Sequence, residues 1–259
     1  MSSFALITGA SKGIGKNIAV ELAKRKINVL LTARSEDALQ HVCATLREQY
    51  GIQANYFAAD LSLPETPQLI FNWCAVNNYA VNILVNNAGF GLSGLFENYS
   101  ANDHVNMLQV NVLSLVRLTA LFLPSLKSYA GRAYILNIAS SAAYQAVPYL
   151  AVYSASKAFV LSFSRALHYE MKKTNVSVTC ISPGATDTDF PKRANVGPKG
   201  QKAAEKLNMQ PADVAAIAVD KMFKRRTEVI TGFVNKLGAA LAWLAPKGLA
   251  EKTAAAIYE

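Results

Sequence analysis

The sequence predicts an α/β fold: one doubly wound parallel β-sheet with helices on both faces. Three observations predict it. Short apolar runs alternate with helical patterns along most of the chain, which implies parallel strands joined by crossovers. The runs are apolar almost without interruption, as strands are when helices cover both faces of a sheet. Polar residues fall just past the ends of the runs, at Thr8-Gly9, Arg34, Asp60, Asn86-Asn87, Ser140 and Pro183-Gly184. In such sheets ligands sit beyond the carboxyl ends of the strands. Six strand ends therefore point to one crevice, and the fold class is Rossmann-like.

The elements follow in order. FALIT (4–8) reads as a buried strand, with a helical stretch from about Ile14 to Lys26. NVLLT (28–32) precedes a charged helix from about Ser35 to Tyr50, and QANYFAA (53–59) ends at Asp60 before a helix from Pro64. VNILVNN (81–87) leads to a long helix over about 101–127, and RAYILNI (132–138) to another over about 148–173. VSVTCI (176–181) ends at Pro183-Gly184, and TEVIT (227–231) reads as a last strand. Residues 188–208 are polar, with Lys, Gly and Pro, and read as a long loop or lid over a substrate rather than an inter-domain linker. No repeat or low-complexity tract occurs. One domain over 1–259, with a C-terminal extension over 236–259, is the expected organisation.

Composition narrows the function classes. Hydrophobic residues make up 52% of the 259 and charged residues 17%, enough to bury a large core. Cys43, Cys74 and Cys180 are scattered, with no C-x-x-C pair, which argues against a disulfide framework or a metal site and fits a reduced, cytoplasmic setting. The net charge is +9, but its densest cluster, Lys221, Lys224, Arg225 and Arg226, is short, so no nucleic-acid partner is expected. The longest apolar region, near 110–126, is interrupted by Asn111, Arg117 and Pro124 and is not expected to span a membrane.

Residues 8–15 read TGASKGIG. Gly9, Gly13 and Gly15 lie between a strand and a helix, where glycine lets backbone N–H groups approach a pyrophosphate and the helix N-terminus adds partial positive charge. An acidic residue at the end of the second strand would hold a ribose diol. This chain has Arg34 there and Lys12 in the glycine loop. Two cations suit a ribose 2′-phosphate, so NADP(H) is the expected cofactor.

Tyr153-Ser-Ala-Ser-Lys157 falls on a predicted helix, and its i, i+4 spacing puts Tyr153 and Lys157 on one face. An ordinary tyrosine pKa near 10 is too high for easy proton exchange at neutral pH, and a nearby ammonium lowers it. Ser140, just past a strand, can offer a hydroxyl to a carbonyl oxygen. Asn111, inside the long helix, can hold a bend there and anchor a water behind Lys157.

TGASKGIG, NNAG (86–89), Asn111, Ser140, YSASK and PG (183–184) occur in one order. This arrangement resembles the short-chain dehydrogenase/reductase family in its compact single-domain branch, strongly over residues 4 to about 190. The resemblance implies an NADP(H)-dependent oxidoreductase acting between a carbonyl and a secondary alcohol. It implies Tyr153 as the proton carrier and Lys157 as the ribose ligand that lowers the tyrosine pKa. Ser140 would orient the carbonyl and Asn111 would complete a proton relay through water. Ser11, Lys12, Ile14 and the loop glycines would meet the phosphates, Asp60 and Leu61 the adenine, and Asn87, Ala88 and Gly89 the cofactor cleft. Pro183, Gly184 and Thr186 would flank the nicotinamide, and Thr188 would touch the pyrophosphate. Ser141 is adjacent to Ser140; counting from Asn137, and backward from Tyr153, aligns Ser140 with the family serine.

Substrate choice falls in Phe90 to Phe96, Ala142 to Leu150 and 188–208. Phe90, Leu92, Leu95, Phe96, Tyr144, Val147, Pro148, Tyr149 and Phe190 make these loops apolar, which suits a hydrophobic substrate or, equally, packing of the lid or a subunit contact. The resemblance also implies a homodimer or homotetramer through the helices over 101–127 and 148–173. Two other classes remain: a catalytically silent NADP(H)-binding regulator, and a membrane-surface protein using 236–258, with Trp243, Lys236 and Lys247. That stretch is too short to span and is expected to pack on its own domain or a partner subunit.

Overall fold

The computed structural model describes residues 3–188, 194–197, 199–202 and 208–258. Seven strands form one parallel sheet: β1 Ser3–Thr8, β2 Asn28–Ala33, β3 Ala54–Ala58, β4 Ala80–Asn86, β5 Ala133–Ile138, β6 Val176–Ser182 and β7 Glu228–Ile230. Their spatial order is β3-β2-β1-β4-β5-β6-β7. The order reverses between β1 and β4, the point at which a doubly wound sheet opens a crevice.

Strand parity decides what each face receives. Ala5 and Ile7 of β1 join Val29 and Leu31 of β2 on one face, under α1 (Gly13–Lys24) and α2 (Glu36–Tyr50). Phe4, Leu6 and Leu30 enter the other core. That core is covered by α3 (Thr66–Val76), α5 (Ser114–Ser128) and α6 (Ala151–Glu170). In β4 the alternation slips. Phe4 pairs with Val81 but Ala5 with Ile83, so Asn82 is bulged out. The extra residue sends Val81 and Leu84 to one core and Ile83 and Val85 to the other, as a bulge must.

The long helix over 101–127 is a continuous helical run: α4 (Ala101–Leu108), a π turn (Gln109–Leu113) and α5. This is the long helix expected from the sequence; Asn111, Arg117 and Pro124, which punctuate its apolar run, do not end it. Over Ala101–Ser128 it is long and apolar enough to cross a membrane, and half of its most apolar window is buried in the fold. Leu118, Phe122 and Leu126 sit in the second core. Helix α6 starts at Ala151 rather than 148 because Tyr149 takes a left-handed φ of 63°, which a right-handed helix cannot contain.

The sequence reading assigns no element to 211–223, where α7 (Pro211–Phe223) buries Ala215, Ala218, Val219 and Met222 in the first core. Two further helices follow β7: α8 (Phe233–Leu244) and α9 (Lys247–Tyr258).

A buried polar ladder holds the site end of the sheet. Asn86 and Asn137 are register partners. Asn86 Nδ2 donates to Asn137 Oδ1 at 2.9 Å and to Thr119 Oγ1 at 3.2 Å, and Asn137 Nδ2 donates to Ser164 Oγ at 2.9 Å. Thr119 is on α5 and Ser164 on α6, so both helices are set against the strand ends that carry the site.

Candidate active site

Thr8 ties the ends of β1 and β4 together. Its Oγ1 donates to Val85 O at 3.3 Å and accepts from the backbone N–H groups of Asn87 and Ala88, both at 3.0 Å. Asn87 Nδ2 donates back to Thr8 O at 2.9 Å and Gly9 O at 3.1 Å. This stitching is why residue 15 is glycine. A Cβ there would lie 2.4 Å from both Asn87 Nδ2 and Gly9 O, far inside contact distance. Gly9 and Gly13 take φ of 65° and 59°, a region open to glycine. Thr188 lies above Gly13, its Cγ2 3.3 Å from where a Gly13 Cβ would be.

Around this loop runs a cleft of about 1110 Å³. It is lined by Gly9, Ser11, Lys12, Gly13, Ile14, Arg34, Asp60, Leu61, Asn87, Ala88 and Gly89. Ser140, Tyr153, Lys157, Pro183, Gly184, Thr186 and Thr188 complete the wall. Two expected site residues do not line it. Gly15 lies beneath the loop, and Asn111 is buried behind the cleft.

The fit to a phosphorylated dinucleotide rests on the glycine cradle and on the charge beside it. Arg34 is exposed at the end of β2 and has no hydrogen-bond or ion-pair partner among the described residues. Lys12 and Lys16 line the same end. Asp60 is turned to local work: its Oδ1 accepts from Ser62 N at 2.9 Å. The cleft therefore offers an exposed guanidinium and two ammonium groups near the start of α1, an arrangement made for an anion.

At the other end, Lys157 Nζ lies 5.9 Å from the centroid of the Tyr153 ring and donates to Ile138 O at 3.0 Å. Both side chains are buried. Burial pushes the Lys157 pKa down to about 8, which still leaves an ammonium at neutral pH. Ser140 caps the short turn Ser141–Tyr144, its Oγ accepting from Ala142 N at 3.1 Å. Using the oxygen as acceptor leaves the hydroxyl proton available to a carbonyl oxygen. Ser141 also lines the cleft, and its N–H donates to Pro183 O at 2.7 Å.

Asn111 sits in the π turn. Its Oδ1 accepts from Phe90 N at 3.0 Å, and its Nδ2 donates to Phe90 O at 2.9 Å and Ser156 Oγ at 3.0 Å. The amide thus clamps the loop after β4 to α6. Gly89 keeps the space open: a Cβ there would meet Asn111 Oδ1 at 3.1 Å and Lys157 Nζ at 3.2 Å.

Of the apolar loop residues, Leu92, Leu95, Phe96, Pro148 and Tyr149 line a second cavity of about 330 Å³, with Met107, Val152 and Ala255. Phe90 lines the main cleft. Val147 is buried in a cluster with Met107, Leu150, Tyr153 and Ala254. Tyr144 is not at either cavity. Its hydroxyl donates to Glu228 Oε1 at 2.6 Å and accepts from the Ser182 hydroxyl at 3.1 Å, tying the serine turn to β6 and β7. Phe190 lies outside the described residues. Within 188–208, Val196 and Gly200 line the cleft and Ala194 O accepts from Ser93 N at 2.7 Å.

Sequence reasoning missed three contributors. Ser156, inside the YSASK motif, could have been suspected from its place there. The Ile138 carbonyl that receives Lys157 has no side-chain signal. Asn235 of α8 lies so close to Gly184 that a Cβ on that glycine would sit 2.1 Å from its Nδ2; no local pattern announces the contact.

Comparisons with known proteins agree with this geometry. The short chain dehydrogenase family model matches residues 3–199. A very-long-chain 3-oxoacyl-CoA reductase from Rattus norvegicus is 34% identical over 71% of this chain, a match that spans only 59% of that relative. A solved structure of a 7beta-hydroxysteroid dehydrogenase superposes with a TM-score of 0.86 at 25% identity, over 97% of this chain and 96% of that one. A short-chain dehydrogenase from Sphingobium yanoikuyae in complex with NADPH gives 0.81 at 28%, over 93% and 94%. One from Burkholderia phymatum in complex with NAD gives 0.82 at 25%, over 93% and 92%. With its parallel sheet, its glycine loop and its tyrosine and lysine on one helix face, the chain belongs to the short chain dehydrogenase family.

Proposed function

We propose that the protein is an NADP(H)-dependent oxidoreductase that interconverts a carbonyl and a secondary alcohol in an apolar substrate. The observation that carries the reading is the buried Lys157 ammonium beside the Tyr153 ring in the wall of the dinucleotide cleft, a wall that Ser140 also lines. The nicotinamide cofactor, when bound, supplies or accepts the hydride. Ser140 donates to the substrate oxygen and orients it. Tyr153 gives that oxygen its proton in reduction and takes it in oxidation. Lys157 holds the cofactor ribose, and its charge favours the phenolate. Asn111 holds the loop and the helix that frame these groups. The second cavity, walled by Leu92, Leu95, Met107 and Val152, supports an apolar substrate portion.

The test is a panel of ketones and secondary alcohols, including a 3-oxoacyl thioester and a keto steroid, followed by NADPH absorbance. Turnover of any member supports the reading. NADPH binding with no turnover of any would favour a silent cofactor-binding regulator.

Cofactor preference makes a second expected result. Arg34→Ala weakens NADPH binding about ten- to a hundredfold and leaves NADH binding nearly unchanged. A hydrogen bond to a charged group contributes roughly 1.5–3 kcal/mol, and only NADPH carries the 2′-phosphate. Titrating both cofactors against both proteins checks it. Equal losses would make Arg34 structural.

Self-association belongs to the same proposal. Val105 (57% exposed) and Leu113 (47%) on the long helix, and Phe159 (43%) on α6, show apolar side chains to solvent. Light scattering is expected to give a dimer or tetramer; a monomer at micromolar concentration would overturn this.

A further inference from the structure

Helix α8 turns its apolar side away from the protein. Phe233, Leu237, Leu241 and Leu244 recur at i, i+4, i+8 and i+11, one stripe of a helix. They are 80%, 50%, 56% and 71% exposed. Asn235, against Gly184, and Ala242, the helix's single buried residue, mark the opposite side, which meets the domain. Trp243 (76%) on the same helix and Leu249 (60%) at the start of α9 are exposed as well. A contiguous exposed apolar surface of this kind marks an interaction site.

Charge chooses the partner. Over 231–256 the cations are Lys236, Lys247 and Lys252, all exposed, and the only acid is Glu251. The whole chain carries +9. Two copies meeting through this face would bring six lysines together against two carboxylates, whereas an anionic bilayer neutralises them. A helix of 12 residues extends about 18 Å, short of the roughly 30 Å of a hydrocarbon core, so it suits the plane of the interface. Tryptophan favours that depth.

We propose that α8 and the start of α9 form a docking surface for an anionic lipid bilayer, with the Phe233–Leu244 stripe entering the interface and Lys236 and Lys247 meeting the headgroups. The proposal does not depend on the reaction catalysed.

The test is co-sedimentation of the full chain with phosphatidylcholine vesicles, with and without phosphatidylglycerol, at low and high salt. The wild type is expected to bind phosphatidylglycerol vesicles at least about tenfold more tightly than phosphatidylcholine alone, with the difference shrinking at high salt. Leu237→Glu with Leu241→Glu should lose that binding at least about tenfold while keeping NADPH affinity. Lys236→Glu with Lys247→Glu, at exposed positions that leave the stripe intact, should lower it severalfold. Vesicles should shift the emission of Trp243 to the blue, a change absent in Trp243→Phe; Trp73 is stacked on Phe57. Failure of the wild type to bind phosphatidylglycerol vesicles would overturn the proposal, as would undiminished binding by both double variants. Absence of vesicle binding, together with a lower mass by light scattering for the leucine variant than for the wild type, would assign the face to a second copy and equally overturn it.

Discussion

Tyr153→Phe is expected to cut turnover at least about a hundredfold, the low end of what a positioned acid or base supplies, while NADPH affinity stays within about twofold of wild type. The substitution removes one oxygen and keeps the ring. That ring is buried in the cluster of Met107, Val147, Leu150 and Ala254, so phenylalanine fills the same space and leaves no cavity. The glycine loop and Arg34 lie at the other end of the cleft and are untouched. Without the phenol, the substrate oxygen has the Ser140 hydroxyl to orient it but no group to exchange a proton with. Steady-state turnover beside an NADPH titration checks both halves. Wild-type turnover in this variant would remove Tyr153 from the chemistry.

Lys157→Met should have an effect of similar size on turnover, about a hundred- to a thousandfold, with an unusual companion: no loss of stability at pH 7. Burial lowers the Lys157 pKa to about 8 from its ordinary 10.5. Between those two values the unfolded chain holds the proton and the folded chain has released it, so stability rises with pH across that window. Below about pH 8 both states are protonated, and the folded protein carries the full cost of the buried charge, on the order of 3 kcal/mol. Methionine removes that cost. It also leaves the Ile138 carbonyl without its donor, which costs about 1–3 kcal/mol. The balance lies between zero and about 2 kcal/mol in favour of the variant at pH 7, shrinking as pH rises toward 10.5. Thermal unfolding of both proteins at pH 7 and pH 10 tests it. A clearly lower melting temperature for Lys157→Met at pH 7 would show that the ammonium stabilises the fold. A site kept at the expense of stability is what a functional lysine predicts.

Much of the cleft was legible in the chain because its residues follow strands, and strands announce themselves by continuous apolar runs. Gly9, Arg34, Asp60, Asn87, Ser140 and Pro183 were marked by position alone, and all six line one cleft. The Tyr153 and Lys157 pairing was legible because i, i+4 is a property of any helix. For Tyr144 the sequence leaves substrate contact and packing open, because aromatic character in a loop says nothing about direction. Its hydroxyl is claimed by Glu228, 84 residues away.

By itself the sequence determined the order of strands and helices up to the sixth strand, the glycine turn after the first strand, the basic residue at the end of the second, and the chemistry offered at each strand end. These are local properties, set by side-chain type and spacing over a few residues. Only the tertiary structure decided how Asn111 grips Phe90 and Ser156, why Gly15 has no room for a side chain, where the bulge at Asn82 moves the pattern from face to face, and that α8 shows its apolar stripe to the outside. Each of these depends on segments brought together from far along the chain, Thr8 and Asn87 being 79 residues apart. Periodicity tells that a helix has an apolar face; only packing tells what that face meets.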